Sequence, residues 1–223
     1  MSSMIQFSPP LPKDKRDSIK KLGYGLLNKL VLFFNKNFWD TNSDYIGYTS
    51  ETRGEFYLFI SMTKIVGAPV LVAMISGQAA YTIENLSGED VVGKAMSILQ
   101  KIYGPSAVTP TRAVITRWGS DPYALGSFSY VSVGSNGSDY DILAKPVDNK
   151  LFFAGEHTHR HHPSTVTGGY MSGIRAAYEM ATQGIHKIVT TKSSDQIPSA
   201  TISSAVNAIP LPPAPYGMQQ QQH

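Results

Sequence analysis

Residues 151–177, LFFAGEHTHRHHPSTVTGGYMSGIRAA, decide the fold prediction for this chain. The apolar run 151–154 is typical of a short buried strand, and Gly155 lets the backbone turn sharply where that strand ends. From about residue 167 to residue 182 the pattern predicts a helix. A strand, a glycine turn and a helix in this order resemble half of an α/β unit, which binds ligands at the carboxyl end of the strand.

The turn and the start of the predicted helix carry groups suited to a planar, partly anionic ligand. Glu156 supplies a carboxylate acceptor at the turn. Backbone N–H groups near residues 165–168 lack intrahelical partners and lie at the positive end of the helix dipole. Gly169, Gly173 and Ala177 share one face at helical spacing, so a flat ligand can approach closely. Spacing alone leaves open an ordinary, tightly packed βα unit.

Upstream, the pattern predicts a larger unit of class α+β, with one mixed sheet and flanking helices. A helix over residues 87–103 begins with Ser87 as N-cap and ends at Gly104. The prolines within residues 1–15 disfavour regular structure and predict a connecting segment. Strands are predicted over residues 30–34, 55–60, 70–75, 114–118 and 127–133.

Composition excludes several classes of function. The chain has no cysteine, which excludes disulfides, thiolate catalysis and Cys-based zinc sites. Its formal charge of +3 is modest, so we interpret the lysines of residues 13–36 as a solvated face rather than a polyanion site. The longest apolar run, residues 68–75, is too short to cross a bilayer. We expect a soluble, intracellular chain.

The histidine-rich segment after the turn is a candidate metal site. His157, His159, His161 and His162 are four imidazoles within six residues, and imidazole alone can bind zinc or nickel. Their spacing follows neither a helix nor a strand, and Glu156 is the one carboxylate nearby. The sequence therefore predicts no functional metal site here.

Several segments, in the same order, resemble the flavin-containing amine oxidases. FAGEHT at residues 153–158, Pro163 and SGIRAA at residues 172–177 are similar to the C-terminal flavin segment of that family. RWGSDP at residues 117–122, followed by GSF at residues 126–128, is similar to its W..DP...GSY segment. The lysine-specific histone demethylase branch resembles the chain better than the monoamine or polyamine oxidases do, through residues 23–29, 38–40 and 137–141.

The resemblance implies FAD as cofactor and an amine as substrate. A reduced flavin carries negative charge, so a helix N-terminus directed at it would stabilise the reduced state. Phe128 replaces a tyrosine of the amine cage, which removes a hydroxyl but keeps an apolar wall with cation–π capacity. Thr165 is implied to face both ring and substrate. The residues implied to contact the flavin are Gly155, Glu156, Thr165, Val166 and Trp118.

The family also has parts that match nothing in these 223 residues. Its flavin needs a strand followed by G-x-G-x-x-G; residues 23–25 begin such a pattern, but Asn28 replaces the third glycine, and we predict a loop there. The family's catalytic lysine and corepressor-binding helices match no residue either, so no catalytic residue is assigned. We expect a partial substrate domain over residues 1–147, the C-terminal part of a Rossmann-like FAD-binding domain over 148–184 without its N-terminal half, and a disordered tail over 185–223.

Two functions stay open on the sequence. The first is an FAD-dependent amine oxidase that demethylates methyl-lysine on histone H3 in the nucleus, with a polyamine as the alternative substrate. The second is a non-catalytic fragment or binding module: a truncated chain, a split product that needs the other flavin-binding half in trans, or a domain kept for binding. We expect no membrane contact and no corepressor contact from this segment.

Overall fold

A computed structural model describes residues 5–184, and its centre is a five-stranded sheet. In chain order its strands are β2 (Leu27–Phe33), β3 (Tyr45–Gly47), β4 (Leu58–Ser61), β5 (Val70–Ser76) and β6 (Arg112–Ile115). Their spatial order is β3-β4-β5-β2-β6, and every pairing is antiparallel. A separate antiparallel pair joins β1 (Gly23–Gly25) to β7 (Phe128–Tyr130).

Helices lie before, between and after these strands. A π-helical turn, Met180–Gly184, ends the described part of the chain, and a 3₁₀ turn, Glu156–Thr158, precedes the last long helix. The α-helices of the described residues are α1 (Lys13–Lys21), α2 (Thr63–Val66), α3 (Gln78–Glu84), α4 (Gly88–Tyr103), α5 (Gly137–Ala144) and α6 (Val166–Glu179).

The core includes one face of the large sheet together with α3 and α4. Leu30 and Leu32 of β2 alternate with less buried neighbours and have no exposed surface. Val91, Ala95 and Leu99 of α4 recur every fourth residue and are equally buried, as an amphipathic helix requires. Burying each large aliphatic side chain stabilises the fold by about 1.5–3 kcal/mol. The opposite sheet face is only half-buried.

Lys15 ties α1 to the end of α5. Its ammonium is buried and donates to the carbonyl oxygens of Ile142, Leu143 and Lys145 at 2.9, 2.7 and 2.8 Å. These carbonyls belong to the last turn of α5, where a cation is favoured by the helix dipole. The ammonium also lies 4.0 Å from the centroid of the Phe153 ring. Burial lowers the pKa of Lys15 to about 8.

The α+β class is confirmed, and so are several elements predicted from the sequence. Ser87 caps α4 by accepting the Asp90 amide at 3.0 Å. Strands β2 and β5 and helix α6 lie within a few residues of their predicted bounds. Three strands are displaced or shortened relative to prediction. β4 begins at Leu58, and β6 ends at Ile115, so Trp118 lies beyond it. β7 covers only Phe128–Tyr130 of the predicted residues 127–133. The predicted tail, residues 185–223, lies outside the described residues.

Four predictions of local structure were wrong. Residues 23–25 form strand β1 rather than a loop, because β7 supplies their hydrogen-bond partners. Residues 151–154 form no strand; Leu151 makes one isolated bridge, to Val147, and an apolar run becomes a strand only beside a pairing partner. Helix α1 begins inside the predicted connecting segment, directly after Pro12, where a proline at a helix start is tolerated. The sheet pairings among residues 5–184 are antiparallel rather than mixed.

Candidate functional site

The turn at Gly155 is held against helix α6. Gly155 has φ of 129°, a left-handed conformation that favours glycine, and an added Cβ would collide with the His157 ring. Its amide donates to the Ser172 hydroxyl at 2.9 Å, and its carbonyl accepts from the Thr158 hydroxyl at 2.8 Å. The turn therefore cannot move independently of α6.

The Glu156 carboxylate connects strand β7 to the segment that precedes α6. Its Oε1 accepts the Ser129 amide at 2.9 Å, and its Oε2 accepts the Ser129 hydroxyl at 2.7 Å. Oε2 also accepts the Ser164 amide at 2.6 Å, while the Ser164 hydroxyl donates to the Ser129 carbonyl. These bonds bring Glu156 beside the neighbours of two other predicted site residues, Phe128 and Thr165.

Helix α6 begins at Thr165, in a tight local structure. The Thr165 hydroxyl accepts the Gly168 amide at 2.9 Å and donates to the His162 carbonyl at 2.8 Å. Gly168 lies so close to that carbonyl that an added Cβ would fall well inside van der Waals contact. Val166, the first helical residue, is 91% exposed. A ligand can therefore reach the helix N-terminus.

One face of α6 is apolar and open. Gly169 and Gly173 lie on it, and nothing among the described residues lies within 4 Å of a Cβ added at either position. Tyr170 and Ile174 lie on the neighbouring face, about 100° further around the helix, and are exposed. The buried face, which carries Ser172 on the other side of the glycines from Tyr170, packs against the Gly155 turn. The face predicted to approach a flat ligand is thus free to do so.

An aromatic pocket of about 290 Å³ lies between β1, β2, β7 and the loop after β6. Trp118 and Phe128, both predicted to face cofactor or substrate, line it together. The Trp118 side chain is partly exposed, and Phe128 is half-buried. The full lining is Tyr24, Leu27, Lys29, Trp118, Ala124, Gly126, Ser127 and Phe128.

Tyr24 shapes this pocket from strand β1. It pairs with Ser129 across the two-stranded sheet, and its hydroxyl donates to the Ala124 carbonyl at 2.7 Å. Burial, the charge of Glu156 and the nearby Tyr81 raise the pKa of Tyr24. The influence of Glu156 on Tyr24 places the pocket and the Gly155 turn in one electrostatic neighbourhood.

The predicted site residues fall into two groups. Gly155, Glu156, Thr165 and Val166 surround the start of α6, and Trp118 and Phe128 line the aromatic pocket. Strand β7 connects the groups, because Phe128 precedes the serine that Glu156 binds. The sequence reasoning did not assign Tyr24, Lys29, Ser129 or Ser164 to the site. Recognising residues 23–25 as a strand would have indicated Tyr24; nothing local indicated the serines.

The histidine segment shows ring contacts and no metal geometry. The His159 and His162 rings stack at 5.2 Å, and the His162 amide donates to His159 Nδ1 at 3.1 Å. Within residues 5–184, no group of three or more His, Asp or Glu side chains could hold a metal ion. In the same part of the chain, no helix has the length and apolarity needed to traverse a bilayer.

Comparison with known proteins identifies the family. The family model described as flavin containing amine oxidoreductase matches residues 1–181. The chain is 50% identical over 177 residues to lysine-specific histone demethylase 1 homolog 3 of Arabidopsis thaliana, covering 78% of this chain and 11% of the relative. It is 47% identical over 194 residues to possible lysine-specific histone demethylase 1 of Drosophila melanogaster, covering 81% of this chain and 22% of that protein.

A solved structure agrees on the fold. A putrescine oxidase redesigned in its cofactor binding superposes with a TM-score of 0.67 at 23% identity, over 80% of this chain and 40% of that one. The family match confirms the predicted resemblance and its flavin cofactor. The chain spans less than a quarter of the length of the two demethylase relatives above. The chain belongs to the flavin containing amine oxidoreductase family.

Proposed function

We propose that this chain supplies the amine pocket and the flavin-facing helix of an FAD-dependent oxidase that demethylates methyl-lysine on histone H3. The observation that carries the proposal is the Glu156 carboxylate, which joins the pocket strand through Ser129 to the start of α6 through Ser164. In this proposal, residues 1–147 belong to a substrate domain and residues 148–184 to a flavin domain.

The residues around α6 fit a flavin. Thr165 and Val166 stand at the exposed helix N-terminus, where backbone N–H groups and the helix dipole favour negative charge. The open space over Gly169 and Gly173 admits a planar group. We assign further contacts to Gly155, Glu156 and Trp118. When bound, the flavin accepts hydride from the carbon beside the amine nitrogen.

In this proposal, the main role of Glu156 is to hold strand β7 and the start of α6 together. Three protein hydrogen bonds already occupy its carboxylate, two of them on Oε2. Oε1 accepts only the Ser129 amide among the described residues, and a carboxylate oxygen can accept two bonds. The unused acceptor site on Oε1 can therefore take a hydroxyl from the cofactor without breaking the link to β7.

The pocket chemistry suits an alkylated amine. Tyr24, Trp118 and Phe128 offer ring faces, which attract methylated nitrogen through apolar and cation–π contact. Lys29 lines the same pocket, and its positive charge disfavours a second cation nearby. Lys29 therefore offsets part of the cation–π attraction and raises the neutral share of the bound amine, the form with the free lone pair that amine oxidation requires.

The choice of histone over polyamine is supported by the relatives. Two proteins at 47–50% identity carry histone demethylase names, and a histone substrate would require the protein to act in the nucleus. The structural neighbour named for putrescine, a small diamine, shares the fold at only 23% identity. A polyamine is therefore the alternative substrate within the same chemistry.

A direct test is to mix the purified 223-residue chain with FAD, remove free cofactor, and record the flavin absorbance that stays with the protein. We expect bound flavin, and less of it in Gly173→Leu, whose side chain would fill the open face; Lys101→Leu, a distant exposed position, should bind as the wild type does. A dimethyl-lysine H3 peptide and spermidine are then added to separate samples, and the one that lowers the absorbance of the bound flavin is the substrate. Retention of no flavin by the folded wild-type chain would contradict the proposal for this polypeptide.

A second candidate function, a non-catalytic binding module, is favoured by the apolar face of α6. Val166, Tyr170, Ile174 and Tyr178 are all more than half exposed, and clustered exposed apolar side chains mark interaction surfaces. The remainder of a flavin domain, on this or another polypeptide, would cover this face. Binding of the methylated peptide by a chain that takes up no FAD would favour the module.

A further inference from the structure

The Trp118 side chain is exposed, whereas its backbone is anchored on both sides. The side chain lines the aromatic pocket and is 42% exposed. Its amide donates to Asn28 Oδ1 at 3.1 Å, and its carbonyl accepts the Gly126 amide at 3.0 Å. The hydrogen bonds of its backbone therefore help to fix the position of a partly exposed ring.

Asn28 is a polar residue on the core side of strand β2. It has no exposed surface, and its side chain makes hydrogen bonds in three directions. Oδ1 accepts the Thr116 hydroxyl at 3.0 Å as well as the Trp118 amide, and Nδ2 donates to Glu84 Oε1 at 2.8 Å. Burying an amide costs free energy unless it is hydrogen-bonded in this way.

Glu84 accepts hydrogen bonds from the loop that follows Trp118. Located at the last position of α3, it accepts the Gly119 amide at 2.7 Å and the Ser120 hydroxyl. Burial raises the pKa of Glu84, but the hydrogen bonds from Ser120, Asn28 and Gly119 together lower it by more. The net result is a pKa below the usual range. The carboxylate is therefore ionised at neutral pH, and its hydrogen bonds are charge-assisted.

Arg117 fixes the same loop to α3 without using the carboxylate of Glu84. Its guanidinium donates to the carbonyl oxygens of Ile83, Glu84 and Leu86 at the end of the helix. The loop would therefore stay attached to α3 if Asn28 or Glu84 were changed. The separate contribution of Asn28 and Glu84 is to set the two peptide units on either side of the Trp118 Cα.

We propose that Asn28 and Glu84 are positioning residues that hold the Trp118 ring in place at the rim of the aromatic pocket. The relevance of this placement to amine binding rests on the function proposed above, but the placement itself does not. In the proposed function, Trp118 faces the bound amine from the pocket rim as well as the flavin, and the two polar residues act through its backbone. They lie beneath the pocket and do not line it.

The placement can be measured without cofactor. The chain contains two tryptophans; Trp39 is 5% exposed and Trp118 is 42% exposed. Indole N–H signals of ¹⁵N-labelled protein therefore report each ring, and iodide quenches mainly Trp118. In Glu84→Ala we expect a shifted Trp118 signal and a changed iodide quenching constant, with the Trp39 signal unmoved. Glu84→Gln, which keeps an acceptor for Asn28 and Gly119, should restore the wild-type Trp118 signal.

Glu89→Ala is the matched control, because it removes an exposed carboxylate from the first turn of α4. It should leave both tryptophan signals in place. An unmoved Trp118 signal in a folded Glu84→Ala chain overturns the proposal, and so does a shift of equal size in Glu89→Ala. If Glu84→Ala loses the Trp39 signal through unfolding, Asn28→Asp decides instead.

Asn28→Asp keeps the shape of the side chain but places a second carboxylate against Glu84 Oε1. Two carboxylates at hydrogen-bond distance cannot both stay ionised without repulsion. We expect the Trp118 signal to be displaced at neutral pH and to return toward the wild-type position on acidification, when one shared proton restores the hydrogen bond. A Trp118 signal that follows the wild-type pH profile in Asn28→Asp overturns the proposal.

Binding of a dimethyl-lysine peptide separates this proposal from the proposed function. We expect Glu84→Ala to weaken binding by roughly 2- to 10-fold, the size of one misplaced cation–π contact, and Glu84→Gln to restore it. A shifted Trp118 signal with no peptide binding by any variant, wild type included, supports the positioning role and removes the amine function from this pocket. An unshifted Trp118 signal in Glu84→Ala together with weakened peptide binding overturns the positioning role and supports the amine function of the pocket.

Discussion

The Glu156 carboxylate accepts both polar groups of one buried serine, the Ser129 amide at 2.9 Å and the Ser129 hydroxyl at 2.7 Å. Because Phe128 precedes that serine, a pocket wall is attached directly to the turn before α6. The pocket and the helix N-terminus therefore keep a defined separation, as the proposed reaction between a pocket ligand and a cofactor at the helix would require.

Glu156→Gln should lower the free energy of unfolding by about 1–3 kcal/mol. The amide nitrogen of the new side chain would face a donor, either at Ser129 or at Ser164, and leave it without an acceptor. Urea unfolding followed by circular dichroism measures the change. Glu89→Gln, an exposed control, should stay within about 0.5 kcal/mol of the wild type; equal effects of the two substitutions would contradict the link.

Two glycines of α6 should respond to alanine with opposite signs. Gly168→Ala should destabilise the chain, because the Cβ would meet the His162 carbonyl. Gly173→Ala has open space and should stabilise it by up to about 1 kcal/mol, since alanine favours a helix interior. Thermal unfolding of both variants makes the comparison. Destabilisation by Gly173→Ala would mean that the face is covered in the folded chain.

Lys15→Met should destabilise the chain by about 1–3 kcal/mol, because three carbonyl oxygens lose their donor. The matched control is Lys13→Met on the same helix. Lys13 is exposed and pairs with Asp17 across one turn, and such pairs contribute little. Chemical unfolding should give a clearly lower free energy of unfolding for Lys15→Met than for Lys13→Met. A similar loss of stability in both variants would contradict the role of Lys15 at the end of α5.

The stability contribution of Lys15 should also depend on pH. Its pKa is lowered from 10.5 to about 8 in the folded chain by burial. Between these values the unfolded chain binds more protons than the folded chain, so the free energy of unfolding rises with pH. The wild type should therefore gain stability relative to Lys15→Met from about pH 8 to pH 10.5. A difference that is constant across this range, or that falls, would contradict the lowered pKa.

Lys29→Gln should tighten the binding of a permanently charged trimethyl-lysine peptide. The substitution removes a positive charge from the pocket lining, and an unscreened like charge weakens binding of a cation by about 1 kcal/mol in partly exposed sites. Calorimetric titration at low salt should give a severalfold lower dissociation constant, and high salt should reduce the difference. Lys64→Gln, which lies outside the pocket, is the control and should bind as the wild type does.

Much of the scaffold could be predicted from the sequence. Strand β2 and helix α4 follow from the spacing of apolar residues, and the Ser87 cap follows from residue type alone. Strand β1 could not be found this way, because two glycines around one tyrosine carry little strand propensity. It forms because β7, about a hundred residues later, supplies its partners. The prediction for residues 151–154 failed for the opposite reason. The apolar run has strand propensity, but no strand pairs along it, and only an isolated bridge forms at Leu151.

The sequence by itself determined the family, the Gly155 turn and the capped start of α6, because these depend on residues within a few positions of one another. Only the tertiary structure decided that Glu156 meets Ser129 and that the Trp118 amide meets Asn28, 90 residues away. Such hydrogen bonds depend on how separate elements pack, and an isolated polar residue in the sequence does not specify its distant partner.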